Sequence, residues 1–215
     1  MTAVPALSQA KRNLLHSYLS ARVAPPSSIP SRSSAGSSAP LTFSQEQLVR
    51  REINTPNVPL LYNECIQLRM RGPLDVPALQ KSFNEVVRRH EIWRTSYHIY
   101  NGGDISQVVH SATPIEMPVV DLQELCRADQ ECAIETLIGH SAQQPFNLTT
   151  GSLLRTHLIK LSNHEHRLFV IAHLSIVDGV SVYQLFPKEL AQNYGVCISG
   201  SELDLSCLPI QFADY

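Results

Sequence analysis

The sequence predicts a mixed α/β domain, and three patterns carry that prediction. Leu79, Phe83, Val86 and Val87 recur at the 3.6-residue period of an amphipathic helix. Two pairs of apolar runs, 94–100 with 105–109 and 153–161 with 167–173, flank short polar turns and read as hairpins. Between the hairpins, residues 122–144 hold one long helical pattern. Strands alternating with long helices define the class and leave the topology open.

The remaining elements follow in order. Residues 42–53 read as a helix and 62–71 as a strand. Gly72-Pro73 ends that strand, and Asp75 can cap the striped helix behind it. Arg88, Arg89 and His90 suit the negative end of that helix. Asn101-Gly102-Gly103 turns the first hairpin and residues 162–166 the second, while 115–120 reads as a further strand. A last helix over 180–194 follows Gly179, and Pro187 inside it predicts a kink.

Two segments precede the domain. Leu7, Ala10, Leu14, Leu15 and Tyr18 stripe a short amphipathic helix within residues 1–24. Residues 25–40 are rich in Ser and Pro and too poor in large apolar side chains to order themselves. They read as a disordered linker whose amides over 27–40 exchange freely. The folded domain is expected over 41–215, with no internal repeat.

Composition excludes several function classes. The 215 residues are 43% apolar and 17% charged, the balance of a soluble globular chain. A net charge of -2 gives no field for nucleic acid or an anionic membrane surface. No apolar run is long enough to span a bilayer, and polar residues interrupt the N-terminus where a secretory signal would be apolar. Cys65, Cys126, Cys132, Cys197 and Cys207 contain no C-x-x-C pair, so they read as reduced thiols of a cytoplasmic protein, mostly small core residues. His164 and His166 flank Glu165 in an expected turn, but without a third ligand no metal site is expected. Ser181 has no histidine at a spacing that would make it a nucleophile.

Four segments, in order, resemble the condensation domains of nonribosomal peptide synthetases. Thr42-Phe43-Ser44-Gln45-Glu46-Gln47-Leu48 is similar to the family's opening S-F-A-Q-x-R-L-W, with Gln47 and Val49 departing from it. Arg71-Gly72-Pro73-Leu74-Asp75 and the later Arg89-His90-Glu91-Ile92-Trp93-Arg94-Thr95 resemble R-G-x-L-D and R-H-E-x-L-R-T. Pro145-Phe146-Asn147-Leu148, with Gly151 and Leu153-Leu154-Arg155, resembles P-F-D-L-x-x-G-P-L-L-R. His173-Leu174-Ser175-Ile176-Val177-Asp178-Gly179 stands where the family has H-H-x-x-x-D-G. The chain closes on Leu208-Pro209-Ile210-Gln211-Phe212-Ala213-Asp214-Tyr215, similar to L-P-x-Q-Y-x-D-Y.

The resemblance implies an α+β sandwich, the N-terminal lobe of a two-lobed, chloramphenicol acetyltransferase-like fold with a mixed sheet and packed helices. It implies amide formation between thioesters carried on the phosphopantetheine arms of carrier proteins, with no cofactor bound directly. The implied partners are those carriers or other synthetase domains. The chain ends near the close of such a first lobe, so a second lobe is expected to be absent from it. The apolar face around Leu174, Ile176 and 208–212 then predicts self-association or a separately encoded partner.

The motif's second histidine, the family's base or orienting group, is replaced by Leu174. Leucine accepts no proton. His173 is the remaining candidate, but successive strand residues face opposite ways, so it reads as structural. By the resemblance, Asp178 pairs with an arginine, Arg94 first and Arg89 second; a capping aspartate is the plainer alternative. Gly179 is expected to spare a tight strand-to-helix turn from a side chain. Two functional readings follow: a non-catalytic condensation module, or an acyltransferase completed by a second chain.

Overall fold

Nine consecutive residues of Glu165–His173 form the strand around which the domain is layered, and all but the first are buried. The computed structural model describes residues 29, 31–32, 38–55, 63–201 and 208–215. Residues 31–215 form one compact unit. The helix expected over 7–23 and most of the expected linker lie outside the described residues.

The strands are β1 (Ser38–Pro40), β2 (Asn63–Arg71), β3 (Thr95–Ile99), β4 (Ile105–Val109), β5 (Val119–Asp121), β6 (Leu154–Ser162) and β7 (Glu165–His173). They form a three-stranded sheet ordered β1-β4-β3 and a four-stranded sheet ordered β2-β7-β6-β5. The helices are α1 (Phe43–Asn54), α2 (Val76–Arg89), α3 (Arg127–Gln143) and α4 (Phe186–Ile198). The larger sheet is mixed: β5 runs parallel to β6, and the rest is antiparallel. Helix α3 connects the parallel pair, because parallel neighbours need a crossover.

Local chemistry sets the helix starts. Thr42 and Gln45 cap α1 reciprocally, each side chain meeting the other's backbone N–H. Asp75 caps α2 by accepting the Ala78 N–H at 2.8 Å, with Pro77 in the first turn. Asp121 instead delays α3. Its carboxylate accepts the Gln123 N–H at 3.0 Å in a local turn, so the helix begins at Arg127 and not at Leu122. The strand expected over 115–120 shrinks to Val119–Asp121 because Pro118 has no N–H; its carbonyl still accepts from Leu158 at 2.9 Å.

Packing joins the layers. Leu79, Phe83, Val86 and Val87 of α2 are buried, as the stripe requires. Phe83, Trp93 and Phe186 form an aromatic cluster with centroid separations of 6.1, 5.9 and 4.9 Å. On α3 the buried face is Gln130, Ile134, Ile138 and Ser141. Gln130 is satisfied there, donating to the carbonyls of Leu122 and Leu161 at 3.0 and 3.1 Å.

Several expectations change. Ser38–Pro40 is strand, not linker, and pairs with Ser106, Gln107 and Val108. Its backbone supplies the ladder, so weak side-chain hydrophobicity does not prevent pairing. Arg32 lies in the expected linker too, yet it pairs with Glu91 and, at 3.0 Å, with Asp214. Pro187 is not interior to an α-helix. Ser181–Leu185 forms a π turn, the Phe186 N–H reaches back to Ser181 O, and Pro187 falls in the first turn of α4. Cys65, Cys126 and Cys132 are exposed and Cys197 half-buried, so none of these four is a core residue; Cys207 lies outside the described residues. His166 sits buried on β7 rather than in a solvated turn.

Phe83→Ala removes the ring shared by Trp93 and Phe186 and is expected to destabilise the domain by about 3–5 kcal/mol. Urea titration followed by the fluorescence of Trp93, the chain's single tryptophan, measures this. A loss near zero would mean the cluster does not carry the core.

Candidate functional site

Strand β7 ends where the motif begins. His173 is its last residue and is fully buried, and Leu174–Ile176 then makes a single 3-10 turn. The change of direction sends the two neighbours opposite ways. The His173 ring enters the interior, and Leu174, 37% exposed, lines an open cleft of about 330 Å³.

Both ring nitrogens of His173 are occupied. Nε2 lies 2.6 Å from Glu52 Oε2 on α1. Nδ1 lies 2.6 Å from Ser175 Oγ and accepts the Ser175 N–H at 3.2 Å. A ring accepting at Nδ1 carries its proton on Nε2 and donates it to Glu52. Phe146 meets the ring edge-on at 6.4 Å, with the Arg155 guanidinium 3.9 Å above the Phe146 ring centre. Burial pushes the His173 pKa below its ordinary 6.5, against the opposing pull of Glu52.

A second buried network supports the turn. Gln45 Nε2 and the Tyr97 hydroxyl both donate to the Ser175 carbonyl, at 3.4 and 3.3 Å. Burial pushes the Tyr97 phenol up to about 12, so it stays a donor. Gln45 therefore caps α1 and holds the motif turn. Its place in the first motif segment was a usable signal. Nothing in the sequence marks Glu52, which meets His173 only through the fold.

Asp178 is the cap of the last helical segment: Oδ1 accepts the Ser181 N–H at 2.8 Å. The expected pairing with Arg94 is not made. Arg94 donates to the His110 carbonyl and faces Glu91 at 3.6 Å. Arg89, the second candidate, holds Glu189 at 2.6 Å. Gly179 is not sterically required either, since a Cβ there would meet open space and its φ is not positive. Among the described residues no cluster could hold a metal ion.

The cleft's other walls come from α1 and the C-terminal segment. Thr42, Gln45 and Leu48 form one side, Phe212 and Tyr215 another. Phe212 is partly exposed and Tyr215 is 85% exposed, whereas Ile176, expected on this face, is buried. Gln211 fixes the segment by accepting the Glu91 N–H at 3.0 Å and donating to the Arg89 carbonyl at 2.9 Å.

The family model described as Condensation domain matches residues 36–215. The chain belongs to the condensation domain family. Chondramide synthase cmdD of Chondromyces crocatus is 33% identical over 154 residues, 72% of this chain and 4% of that protein. Phosphinothricin tripeptide synthetase PhsC of Streptomyces viridochromogenes is 32% identical over 216 residues, 100% of this chain and 20% of that protein. The X-domain from teicoplanin biosynthesis superposes with a TM-score of 0.71 at 29% identity, over 86% of this chain and 38% of that one. The first condensation domain of the calcium-dependent antibiotic synthetase has the same fold, with a TM-score of 0.72 at 20% identity over 80% of this chain and 40% of that one. This condensation-family chain thus spans less than half of the solved domains it matches. The expected chloramphenicol acetyltransferase-like α+β architecture stands.

The pH dependence follows from the neutral ring. His173, and with it His157 and His166, has its pKa lowered by burial. The unfolded chain protonates these rings near 6.5 while the folded domain resists. The stability they contribute is therefore complete above about 6.5 and is lost as pH falls toward the depressed folded values. Unfolding midpoints should drop between about pH 7 and pH 5.5, and His173→Gln should shrink that slope without abolishing it. A midpoint flat across this range would show that the buried rings accept protons in place.

Proposed function

We propose that this chain is the first lobe of a condensation domain in a nonribosomal peptide synthetase system, acting as a non-catalytic binding module. The family reaction joins two acyl or aminoacyl groups delivered as thioesters on carrier phosphopantetheine arms. The amine nitrogen of one attacks the thioester carbonyl of the other, a C–N bond forms, the thiolate leaves, and the nitrogen loses a proton. The observation that carries the non-catalytic reading is the exchange of roles at the motif. Leu174 presents only hydrocarbon to the cleft, while His173 is buried with both nitrogens engaged. Neither can accept the amine proton at the cleft surface.

The proposed partners are carrier proteins or other synthetase domains, in the cytoplasm. Among the described residues no helix is long and apolar enough to cross a membrane. The X-domain from teicoplanin biosynthesis has been solved in complex with OxyB, so a relative of this chain engages a separate protein. That likeness supports a docking role here.

A second reading, an acyltransferase completed by another chain, draws on the exposed Leu174, Phe212 and Tyr215 beside the cleft, a surface a further lobe could cover. One assay tests the non-catalytic reading. The purified chain is incubated with two loaded carrier proteins, and carrier-bound products are read by mass spectrometry. No dipeptide above the protein-free rate is expected. Dipeptide formed faster than that would overturn the non-catalytic reading.

A further inference from the structure

The larger sheet ends on β2, and among the described residues no strand pairs with its outer edge. His173 donates its N–H to Leu153 O, away from β2. Antiparallel alternation then directs Ala172, Val170 and Leu168 toward β2, where they face Glu64, Ile66 and Leu68. The backbone N–H and C=O groups of Cys65, Gln67 and Arg69 point outward, and among the described residues none has a strand partner. The strand keeps an unbroken register over its nine residues. No bulge or proline interrupts it, and its guard against indiscriminate pairing is the charge of Glu64, Arg69 and Arg71.

The surroundings of this edge are chemically sided. One face opens on a cavity of about 310 Å³ beside α4, where Leu68, Met70, Pro187, Leu190 and Tyr194 supply apolar surface. Arg69 and Arg71 stand at its rim and make no ion pair among the described residues. The neighbouring arginines Arg127 and Arg167 are already matched by Glu131 and Glu165. Arg69 also acts on both carboxylates at longer range, and the four arginines Arg69, Arg71, Arg127 and Arg167 against two glutamates leave the C-terminal half of the edge cationic. Near its start, the Tyr183 hydroxyl donates to Glu64 Oε1 at 2.5 Å and bridges β2 to the π turn before α4.

We propose that this edge binds an extended segment of a partner protein as a fifth strand, with apolar and acidic residues in alternation. The outward amides and carbonyls of Cys65, Gln67 and Arg69 supply the ladder. Alternate apolar side chains enter the cavity at Leu68 and Met70, and the acidic ones face Arg69 and Arg71. Strand addition at an open edge takes affinity from the main chain and selectivity from alternate side chains. The surface is distinct from the cleft at Leu174 and does not depend on the functional reading given above.

The test uses dye-labelled peptides of about eight residues, the length of an ordinary strand. One alternates valine or leucine with glutamate, one has lysine for glutamate, and one is the acidic peptide with alternate backbone amides methylated. Fluorescence polarisation should show the acidic peptide binding and the other two at least about tenfold weaker. Hydrogen exchange of the Cys65, Gln67 and Arg69 amides should slow when the acidic peptide is added. Gln67→Pro removes an outward N–H, which an edge strand tolerates, and should abolish binding. Should that variant fail to fold, Arg69→Glu with Arg71→Glu should reverse the preference toward the lysine peptide. Equal binding of the acidic and lysine peptides, no binding of any peptide, or unchanged exchange at the three amides would overturn the proposal. So would a homodimer seen in sedimentation that Gln67→Pro dissolves, since the edge would then belong to a second copy.

Discussion

Strand β7 must be covered on both faces, and most of the domain answers that requirement. One set of its side chains meets α2 and α4 through the apolar core; the other meets α3, where Arg167 finds Glu131 at 2.5 Å. A strand so enclosed cannot slip by one residue without exchanging its two faces. That fixes His173 inward and places Leu174 at the turn beyond. The site's chemistry is thus a consequence of register rather than of the motif alone.

The segments that resemble the family are bound to one another in space. Arg89 and Glu91 of the second segment hold Gln211 of the closing one. Asp214 in turn accepts from the Gln211 N–H and from Arg32, and these contacts, the first above all, hold its carboxyl below the ordinary range. Gln45 of the first segment supports Ser175 of the fourth. Side chains far apart in sequence therefore meet around one cleft, which explains why isolated segments carry little meaning and their order carries much.

Much of the fold was legible because it is written locally. The stripe of α2, the cap at Asp75 and both hairpins are short-range patterns that the structure keeps. What was not legible depends on partners distant in sequence. Ser38–Pro40 reads as linker because its pairing with β4 uses backbone groups that every sequence has. Asp178 resembles a residue with a cationic partner, yet the nearest donor is the Ser181 N–H, and Arg94 is drawn to Glu91 and the His110 carbonyl. The inward face of His173 could be read from strand alternation, whereas its partner Glu52 could not, since nothing local ties α1 to the end of β7.

The π turn before α4 has an evolutionary consequence. It widens the helix by one residue just ahead of Pro187, so the proline ring enters where a first turn has room and needs no amide. Each feature excuses the other. Losing a residue from Ser181–Leu185 alone would press the ring against the preceding turn; losing the proline alone would leave the wide turn with no ring to accommodate. The two should therefore change together, so that a relative lacking the proline is expected to close the turn into regular α-helix.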